Sequence, residues 1–390
     1  MLRPMRFNLI NLTSCAGICI IALLASSCRS DNHASNASIS SDTLTEYRID
    51  LTDPADISVR DLWTHIEIVP LETGEQSLIS TPVKIQHRNN TYYVLDRDQN
   101  ALLIFSDEGL FINKIQQQGR GPGEYLQIDD FEINPFTGNI ELLNPRGEIL
   151  VYDPDCNFIE KINIPLRASH FFTSLSPDSV VIYSIFEDKK INYFVRGNDS
   201  IYKKEHSFFK SIDNLPIVTL KSPMYRYGDE VYFLDVFNYS IKRFNIEELT
   251  DEYFLNFGEQ NIDFATVPRD KDLPFYVNYL RTGNYAYALE NFIINDSIII
   301  LRCIYKKVWH TVVIDRNSNE IKVIKRFKED VVFPSRFDFC DEGIYAIVEP
   351  VHVELLVNSG ILDEANSKKL EAVDMDSNPV IIKYHFKEQL

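Results

Sequence analysis

The feature that most limits the folds open to this chain is a repeated order of short β-type segments. From residue 45 onward, apolar and aromatic runs alternate with turns rich in Gly, Pro, Asn and Asp. Such runs predict β-strands, and their fixed repetition predicts a repeat architecture. Two stretches, 81–115 and 128–164, overlay strand by strand, with the predicted strands Thr81–His87, Thr91–Leu95, Ala101–Phe105 and Leu110–Ile115 in the first, and Ile128–Ile133, Asn139–Leu143, Glu148–Tyr152 and Asn157–Ile164 in the second.

Further copies of the unit follow along the chain. The third, fourth and fifth copies occupy 172–206, 224–257 and 290–327. The sixth begins at Arg336, is interrupted by helical spacing over Val353–Val373, and resumes at Val380–Phe386. It lacks a fourth strand, which either Tyr47–Leu51 or His65–Val69 near the N-terminus would supply.

This pattern predicts an all-β fold, a six-bladed β-propeller with four-stranded antiparallel blades. A short helical insertion is expected in the last blade, and an N-terminal strand is expected to close the ring, which leaves no open edge at the join. A β-sandwich array is the alternative, although sandwiches rarely repeat the same order of turns.

The N-terminus has the character of a targeting segment and is set apart from the fold. Two arginines precede a mostly apolar run, Leu9–Leu24, which is short for a membrane span. The sequence Leu24-Ala25-Ser26-Ser27-Cys28 then resembles a bacterial lipobox, with Ala25 where leucine is usual. An ordinary secretory signal with an incidental cysteine is the alternative.

The predicted organisation follows from this segment. Residues 1–27 are a lipoprotein signal peptide, 28–44 a flexible tether and 45–390 the propeller. A lipid on Cys28 would anchor the chain to a membrane.

The charge of the chain argues against a nucleic-acid partner. Asp and Glu number 57 against 39 Lys and Arg, a formal net charge of −18, and an acidic field repels phosphate backbones. Cys156, Cys303 and Cys340 lie far apart in the predicted propeller, without CxxC or Cys/His metal spacing. We expect buried thiols, no disulfide framework, no metal and no cofactor.

A glycine-rich segment, Gly119-Arg120-Gly121-Pro122-Gly123-Glu124-Tyr125, separates the first two units. Three glycines and a proline exclude a regular strand or helix. No βαβ unit follows, so a phosphate-binding loop is disfavoured. We predict a tight joint between blades, with Arg120 and Glu124 at the rim of the channel.

The same glycine-rich segment resembles an NHL-type repeat, because a strand, a turn with glycine and a strand ending in Tyr152-Asp153 follow it. Together with the lipobox and the closing Asn378-Pro379-Val380, it resembles the six-bladed β-propeller lipoproteins of Bacteroides-type bacteria. The resemblance covers residues 45–390. It implies a lipid-anchored protein of the bacterial cell envelope, on the periplasmic or the surface side of the outer membrane, and it implies no particular chemistry.

Propeller ligands usually bind on the face that carries the loops between blades and the turns between second and third strands, here called the top face. Mapping the predicted strands gives a largely basic set of candidate ligand-binding residues in an acidic protein. A peptide, protein or glycan is expected there, with an anionic ligand as one option because arginine matches carboxylates. The set is Arg97, Arg120, Glu124, Tyr125, Arg146, Arg167, His170, Arg281, Trp309 and His310.

Two other interpretations remain open for these residues. The arginines could instead pair with Glu124, Asp129, Asp130 and Glu187 and tie blades together. The long joint 258–289 is rich in aromatic residues and is either a lid with a stacking platform or a flap packed on the propeller.

A metal-assisted propeller enzyme of the lyase or lactonase type is the alternative to a binding protein. His170, His310 and His352 lie in loops of the predicted top face and could converge on a metal, but their spacing does not require it. No nucleophile, metalloprotease, P-loop or dinucleotide motif is present. We therefore expect a binding protein and name no catalytic residue.

Overall fold

The structure is a computed structural model, and it describes residues 44–164, 171–184, 190–195, 204–207, 222–244, 249–329, 331, 337–340 and 343–387. The chain divides into two units, Met1–Asp42 and Thr43–Leu390, and all described residues belong to the second. The predicted signal peptide, Cys28 and nearly all of the tether lie outside the described residues.

The described part of the chain begins with three strands and a helical turn: β1 (Thr45–Arg48), β2 (Ala55–Ile57), α1 (Val59–Leu62) and β3 (Trp63–Pro70). Eight strands in regular succession follow. They are β4 (Pro82–Arg88), β5 (Thr91–Asp96), β6 (Ala101–Ser106), β7 (Phe111–Ile115), β8 (Asp130–Ile133), β9 (Ile140–Asn144), β10 (Glu148–Tyr152) and β11 (Phe158–Asn163).

The central part of the chain continues the pattern. Its strands are β12 (Phe171–Ser176), β13 (Ser179–Ser184), β14 (Lys190–Val195), β15 (Lys204–Ser207), β16 (Met224–Tyr227), β17 (Glu230–Asp235), β18 (Ser240–Phe244) and β19 (Leu249–Asn256). A 3₁₀ turn at Gly258–Gln260 and the helix α2 (Leu273–Thr282) come next.

The last strands are β20 (Tyr287–Ile294), β21 (Ile298–Tyr305), β22 (Val308–Asp315), β23 (Ile321–Phe327), β24 (Phe337–Cys340), β25 (Gly343–Val348) and β26 (Val380–Phe386). Between β25 and β26 lie a 3₁₀ turn at Pro350–His352 and the helices α3 (Val353–Asn358) and α4 (Glu364–Leu370). Both helices fall within the stretch for which the sequence predicts helical spacing.

The described strands form six sheets, which we number in chain order. Sheets 1 to 3 consist of β4–β7, β8–β11 and β12–β15 in sequential order. Sheets 4 and 5 consist of β16–β19 and β20–β23 with β1 and β2 added at their outer edges, and sheet 6 consists of β24–β26 with β3.

The sheets are arranged around a closed circuit. The first strands touch in the order β4, β8, β12, β16, β20, β24 and back to β4. A hydrophobic cluster fills each interface between consecutive sheets, including the one between sheets 6 and 1, where Val94 and Leu103 pack with Ile347 and Ile381. The fold is an all-β propeller with small antiparallel sheets, and its first strands surround a central channel.

The N-terminal segment runs along the outer edges of three consecutive sheets. β1 pairs in parallel with β19, β2 pairs in parallel with β23, and β3 pairs antiparallel with β26. Of the two segments considered for the missing fourth strand, His65–Val69 therefore lies in β3 on sheet 6. Tyr47 lies in β1 on sheet 4, where it pairs with Leu255.

Candidate functional site

A cavity of about 600 Å³ opens where the sheets converge on the channel. Its walls come from the first strands of sheets 1, 2, 4, 5 and 6, from the turn after β5 and from the joint between β7 and β8. Its described lining is Val83, Lys84, Ile85, Arg97, Asn100, Gln118, Leu126, Gln127, Ile128, Asp129, Asp130, Ser222, Met224, Tyr225, Asn291, Phe292, Ile293, Phe337 and Asp338. Because the interblade joint and a second-to-third turn contribute, the cavity lies on the predicted top face.

The turn after β5 is shaped by the acid that ends the strand. The buried Asp96 carboxylate accepts hydrogen bonds from the backbone N–H groups of Thr81 (3.3 Å) and Gln99 (3.0 Å). Asn144 and Asp235 end β9 and β17 and accept bonds from the turns that follow in the same way. Such side chains mimic backbone turns, which is why a polar residue recurs at this position.

Asn100 connects that turn to the interblade joint. Its Nδ2 donates to the carbonyl of Leu126 (3.1 Å), and its Oδ1 accepts from the backbone N–H of Ile128 (2.8 Å). Its own carbonyl accepts from the Tyr125 hydroxyl (3.1 Å). Two loops of the cavity wall are therefore held in one fixed arrangement.

One side of the cavity carries an ion pair between buried Asp130 and half-buried Lys84. Lys84 Nζ lies 2.6 Å from Asp130 Oδ1 and also donates to the carbonyl of Phe131 (2.6 Å). The other Asp130 oxygen accepts from the backbone N–H of Phe172 (3.1 Å). Burial raises the pKa of Asp130, and Lys84 opposes that shift.

The opposite side carries a network of two tyrosines and one acid. The Tyr225 hydroxyl donates to Asp338, and the Tyr345 hydroxyl donates to the other Asp338 oxygen at 3.3 Å. The Tyr345 hydroxyl also accepts from the backbone N–H of His87 (2.9 Å). Tyr225 lies on sheet 4 and Asp338 on sheet 6, which are not neighbours in the ring, so their link reaches across the channel.

A second link crosses the channel one residue further along β16. Arg226 Nε lies 3.7 Å from Glu132 Oε1 on sheet 2, and sheet 3 lies between these two sheets. Both side chains are largely buried. Because β16 leads from the cavity toward the opposite end of the channel, Arg226 lies one residue beyond Tyr225, the last residue of this strand in the described cavity lining.

The first strand of sheet 5 is irregular where it lines the cavity. Its register with β21 shifts on both sides of Glu290. Ala288 and Asn291 have φ angles of 54° and 51°, values uncommon for residues other than glycine. Irregular strands often redirect a side chain near a functional site, and Asn291 lies in the cavity wall.

Of the candidate residues predicted from sequence, Arg97 lies in the described lining, where it is exposed. Tyr125 is buried beside the cavity, and burial raises the pKa of its hydroxyl to about 12. The Tyr125 hydroxyl also lies 3.1 Å from the carbonyl of Ile115, so its single hydrogen lies between two carbonyls and supports the joint.

Hydrogen bonds hold the glycine-rich joint in a tight turn. Glu124 accepts from the backbone N–H of Gly121 (2.7 Å), and the carbonyl of Gly123 accepts from the Tyr152 hydroxyl (2.6 Å). Gly123 packs against Phe158 on β11, the last strand of sheet 2. Arg120 and Glu124 are exposed at this tip and are not part of the described cavity lining.

The remaining candidates are spread over several elements. Arg146 is exposed in the turn after β9, and Arg281 is exposed in α2. Trp309 stacks under the guanidinium of Arg302, whose Cζ lies 4.7 Å from the ring centroid. Arg167 and His170 lie outside the described residues, as does Glu187 of the alternative ion-pair interpretation.

His310 is buried on β22 with its Nδ1 2.9 Å from the carbonyl of Val308. Because a carbonyl only accepts, Nδ1 carries the proton. Burial lowers the pKa of His310. Among the described residues, no group of three His, Cys, Asp or Glu side chains could hold a metal ion, and the predicted convergence with His170 is not tested.

The aromatic residues of the long joint mainly contact one another. Tyr279 stacks between Phe275 and Tyr285, with centroid distances of 6.2 and 5.5 Å. Tyr276 is buried and donates to the carbonyl of Pro268 (2.9 Å). The ring faces on which a sugar would stack are thus partly covered by contacts within the joint.

The sequence did not single out most of the cavity. Lys84, Tyr225, Asn291 and Asp338 lie within predicted strands or at their ends, where side-chain direction cannot be read without the twist of each sheet. In the sequence, the only feature that could have indicated these cavity residues was a charged or polar residue in a short first strand. Asp129 and Asp130 were considered only as partners for the top-face arginines, and Asp130 instead pairs with Lys84.

The similarities to known proteins extend over most of the chain. A family model described as "Domain of unknown function (DUF4934)" matches residues 46–385. No curated protein sequence matches the chain. No helix in the described residues is long and apolar enough to cross a membrane.

Solved structures share the fold. A Bacteroides fragilis protein described as exported is 18% identical, with a TM-score of 0.70 over 89% of this chain and 100% of that chain. A DUF4221 family member from Bacteroides vulgatus is 10% identical, with a TM-score of 0.52 over 84% of this chain and 97% of that chain. A streptogramin B lyase is 9% identical, with a TM-score of 0.41 over 82% and 98% of the two chains, which is too loose to carry an argument.

Proposed function

The chain belongs to the DUF4934 family, and from that premise we propose that it is a cell-envelope protein whose channel-mouth cavity binds a polar ligand. The observation that carries this proposal is the cavity of about 600 Å³ on the channel axis. Its volume lies in the range of small-molecule sites, and it combines apolar walls with a few fixed polar groups, as such sites do. In this proposal the six sheets are the blades of a single six-bladed ring.

The chemistry of the cavity favours a ligand that donates hydrogen bonds. Asp129, Asp130 and Asp338 face two cations, Lys84 and Arg97, so an anionic ligand gains little there. Phe292, Phe337 and Tyr225 add aromatic surface. A neutral glycan or a peptide segment with free N–H groups fits this combination better than the anionic ligand considered from sequence.

A binding screen with matched variants tests the proposal. Calorimetry on the full-length protein would compare neutral oligosaccharides, acidic oligosaccharides and short peptides. We expect binding within the neutral or peptide group, weakened about tenfold or more by Asp338→Asn, because the carboxylate becomes an amide that accepts less strongly.

Glu160→Gln is the control, since Glu160 is exposed on β11 far from the cavity lining. Equal affinities of wild type and Asp338→Asn for every ligand found would place binding elsewhere. Preference for the acidic oligosaccharides would reverse the ligand assignment.

The envelope location is part of the same proposal. The lipobox-like segment at Leu24–Cys28 and the fold shared with a Bacteroides protein described as exported support it. Labelling of cells with a radioactive fatty acid should mark the wild-type protein and leave Cys28→Ser unlabelled. Equal labelling of both would rule out Cys28 as the lipid site.

The enzymatic alternative, a metal-assisted lyase or lactonase, stays a prediction from sequence. No observation in the described residues favours it. Elemental analysis of the purified protein for stoichiometric zinc or calcium tests it directly.

A further inference from the structure

The end of the channel opposite the cavity, here called the lower end, contains an unusual arginine. Arg226 lies near the end of β16, and its side chain is only 8% exposed. Its Nη1 donates to the carbonyl of Gly228 (3.3 Å), whereas buried Nε and Nη2 have no hydrogen-bond partner. Buried donors of this kind are normally satisfied, so this pair requires an explanation.

The two unpartnered nitrogens lie on the same edge of the guanidinium group. This edge presents two parallel N–H groups, the arrangement that binds both oxygens of a carboxylate or phosphate. The Arg226 Cζ also lies 5.7 Å from the ring centroid of Phe136 in the turn after β8. The ring therefore helps to fix the guanidinium inside the channel.

Glu132 lies close to this edge but does not satisfy it. Its Oε1 is 3.7 Å from Arg226 Nε, which is beyond hydrogen-bond length. Each of its oxygens is already held by β12, one by the Thr173 hydroxyl (2.6 Å) and the other by the backbone N–H of Ser174 (2.7 Å). The carboxylate is thus oriented toward sheet 3.

A second arginine belongs to the same region. Arg88 ends β4 on sheet 1 and is exposed, with its Nη1 donating to the carbonyl of His87 (3.0 Å). Burial lowers the pKa of Arg226; the negative charges of Glu132 and Asp229 oppose this shift, and the positive charge of Arg88 adds to it. Arg88 and Arg226 therefore both lie near the lower ends of first strands, on sheets 1 and 4.

We propose that the lower end of the channel is a binding site for a small oxyanion, a carboxylate or phosphate group, held by the Nε/Nη2 edge of Arg226, with Arg88 at the same end of the channel. The site is separate from the cavity and does not depend on the function proposed for it. Glu132 competes with the anion, because it places a negative charge next to the same guanidinium. Removing that charge should strengthen binding.

Calorimetric titration of the full-length protein with inorganic phosphate, and separately with acetate, tests the site at constant ionic strength set with sodium chloride. Saturable binding is expected for at least one anion, and the comparison distinguishes phosphate from carboxylate. Arg226→Lys keeps the charge but loses the two-pronged edge and should bind at least tenfold more weakly. Arg243→Lys is the control, because Arg243 is paired with Glu230 and Glu252 on the surface of sheet 4.

Glu132→Gln provides an independent test if the arginine variant folds poorly. We expect this variant to bind the anion more tightly than the wild type does. Absence of saturable binding by wild type, equal affinity of Arg226→Lys, or unchanged affinity of Glu132→Gln would each overturn the proposal. Arg226 would then serve only as the buried counterion of Glu132.

Discussion

Side chains around the channel complete backbone hydrogen bonds that the sheets leave open. The first strand of each sheet is an edge strand, so its backbone N–H groups on the side away from the second strand need partners. Gln86 accepts from the N–H of Ile133 (3.0 Å), Asp130 accepts from the N–H of Phe172, and Glu132 accepts from the N–H of Ser174. Charged residues in these strands therefore join neighbouring sheets, and only some of them are free to meet a ligand.

The joint glycine Gly123 offers a sharp test at this scale. Its φ angle is 73°, and an added Cβ would lie 2.7 Å from Cγ of Phe158. Gly138 has nearly the same φ angle, 75°, but open space around its Cα. We expect Gly138→Ala to cost about 1 kcal/mol of unfolding free energy from backbone strain alone, and Gly123→Ala to cost roughly 1–3 kcal/mol more from the clash.

Urea denaturation of both variants measures the difference. Equal losses would mean that Phe158 moves aside and that the joint is not tightly packed on sheet 2.

The buried His310 predicts a dependence of stability on pH. Burial lowers its pKa in the folded state below the ordinary value of about 6.5. The unfolded chain then binds a proton first as the pH falls, so the contribution of His310 is complete above about pH 6.5 and is lost at lower pH. His310→Asn should flatten the decline of unfolding free energy below about pH 6.5, whereas substitution of the exposed His352 by Gln should not.

Unfolding curves at several pH values check this expectation. An unchanged slope in His310→Asn would show that other groups cause the acid sensitivity.

Secondary-structure elements were predicted well where the pattern is regular and poorly where pairing is not local. The strands from β4 to β11 lie within a few residues of their predicted positions, because each is an apolar run between turn residues. β1 and β2 were missed as fifth strands, because short parallel additions at an outer edge leave no repeat in the sequence. The helical insertion was predicted, but its contact with β3 was not.

The insertion protects the outer edge of sheet 6. Asn366 of α4 is buried; its Oδ1 accepts from the N–H of Ile68 (2.9 Å), and its Nδ2 donates to the carbonyl of Ile66 (2.8 Å). The Asn366 amide therefore pairs with backbone groups of β3 that a further strand would otherwise satisfy. Asn366→Ala should leave both backbone groups unpaired and lower the unfolding free energy by about 1–3 kcal/mol.

Exposed Lys368 on the same helix is the matched control. Lys368→Ala should change stability little, and faster amide exchange at Ile68 should appear only in Asn366→Ala. Slow exchange at Ile68 in that variant would show that the edge is covered without Asn366.

At the scale of the whole molecule, the sequence predicted a propeller and the face on which its loops lie, but not the residues of the site. The face follows from the order of strands and turns, which is local information. The cavity depends on which side chains the converging first strands turn inward, and that is set by sheet twist and by the irregular β20. Among the predicted basic residues that the structure describes, Arg97, Arg120 and Arg146 are exposed on loops and Arg281 is exposed on α2. The cavity is lined instead by a mixture of acids, amides and aromatic rings.

Hydrogen–deuterium exchange, with the ligand found by calorimetry, tests whether the channel-mouth cavity is the ligand site. With the ligand bound, we expect slower amide exchange at residues 97–100, 118–129 and 222–225 and at the start of β24. We expect no change at β7 and β11, the outer edges of sheets 1 and 2. Protection confined to those outer strands, with none around the cavity, would contradict the account.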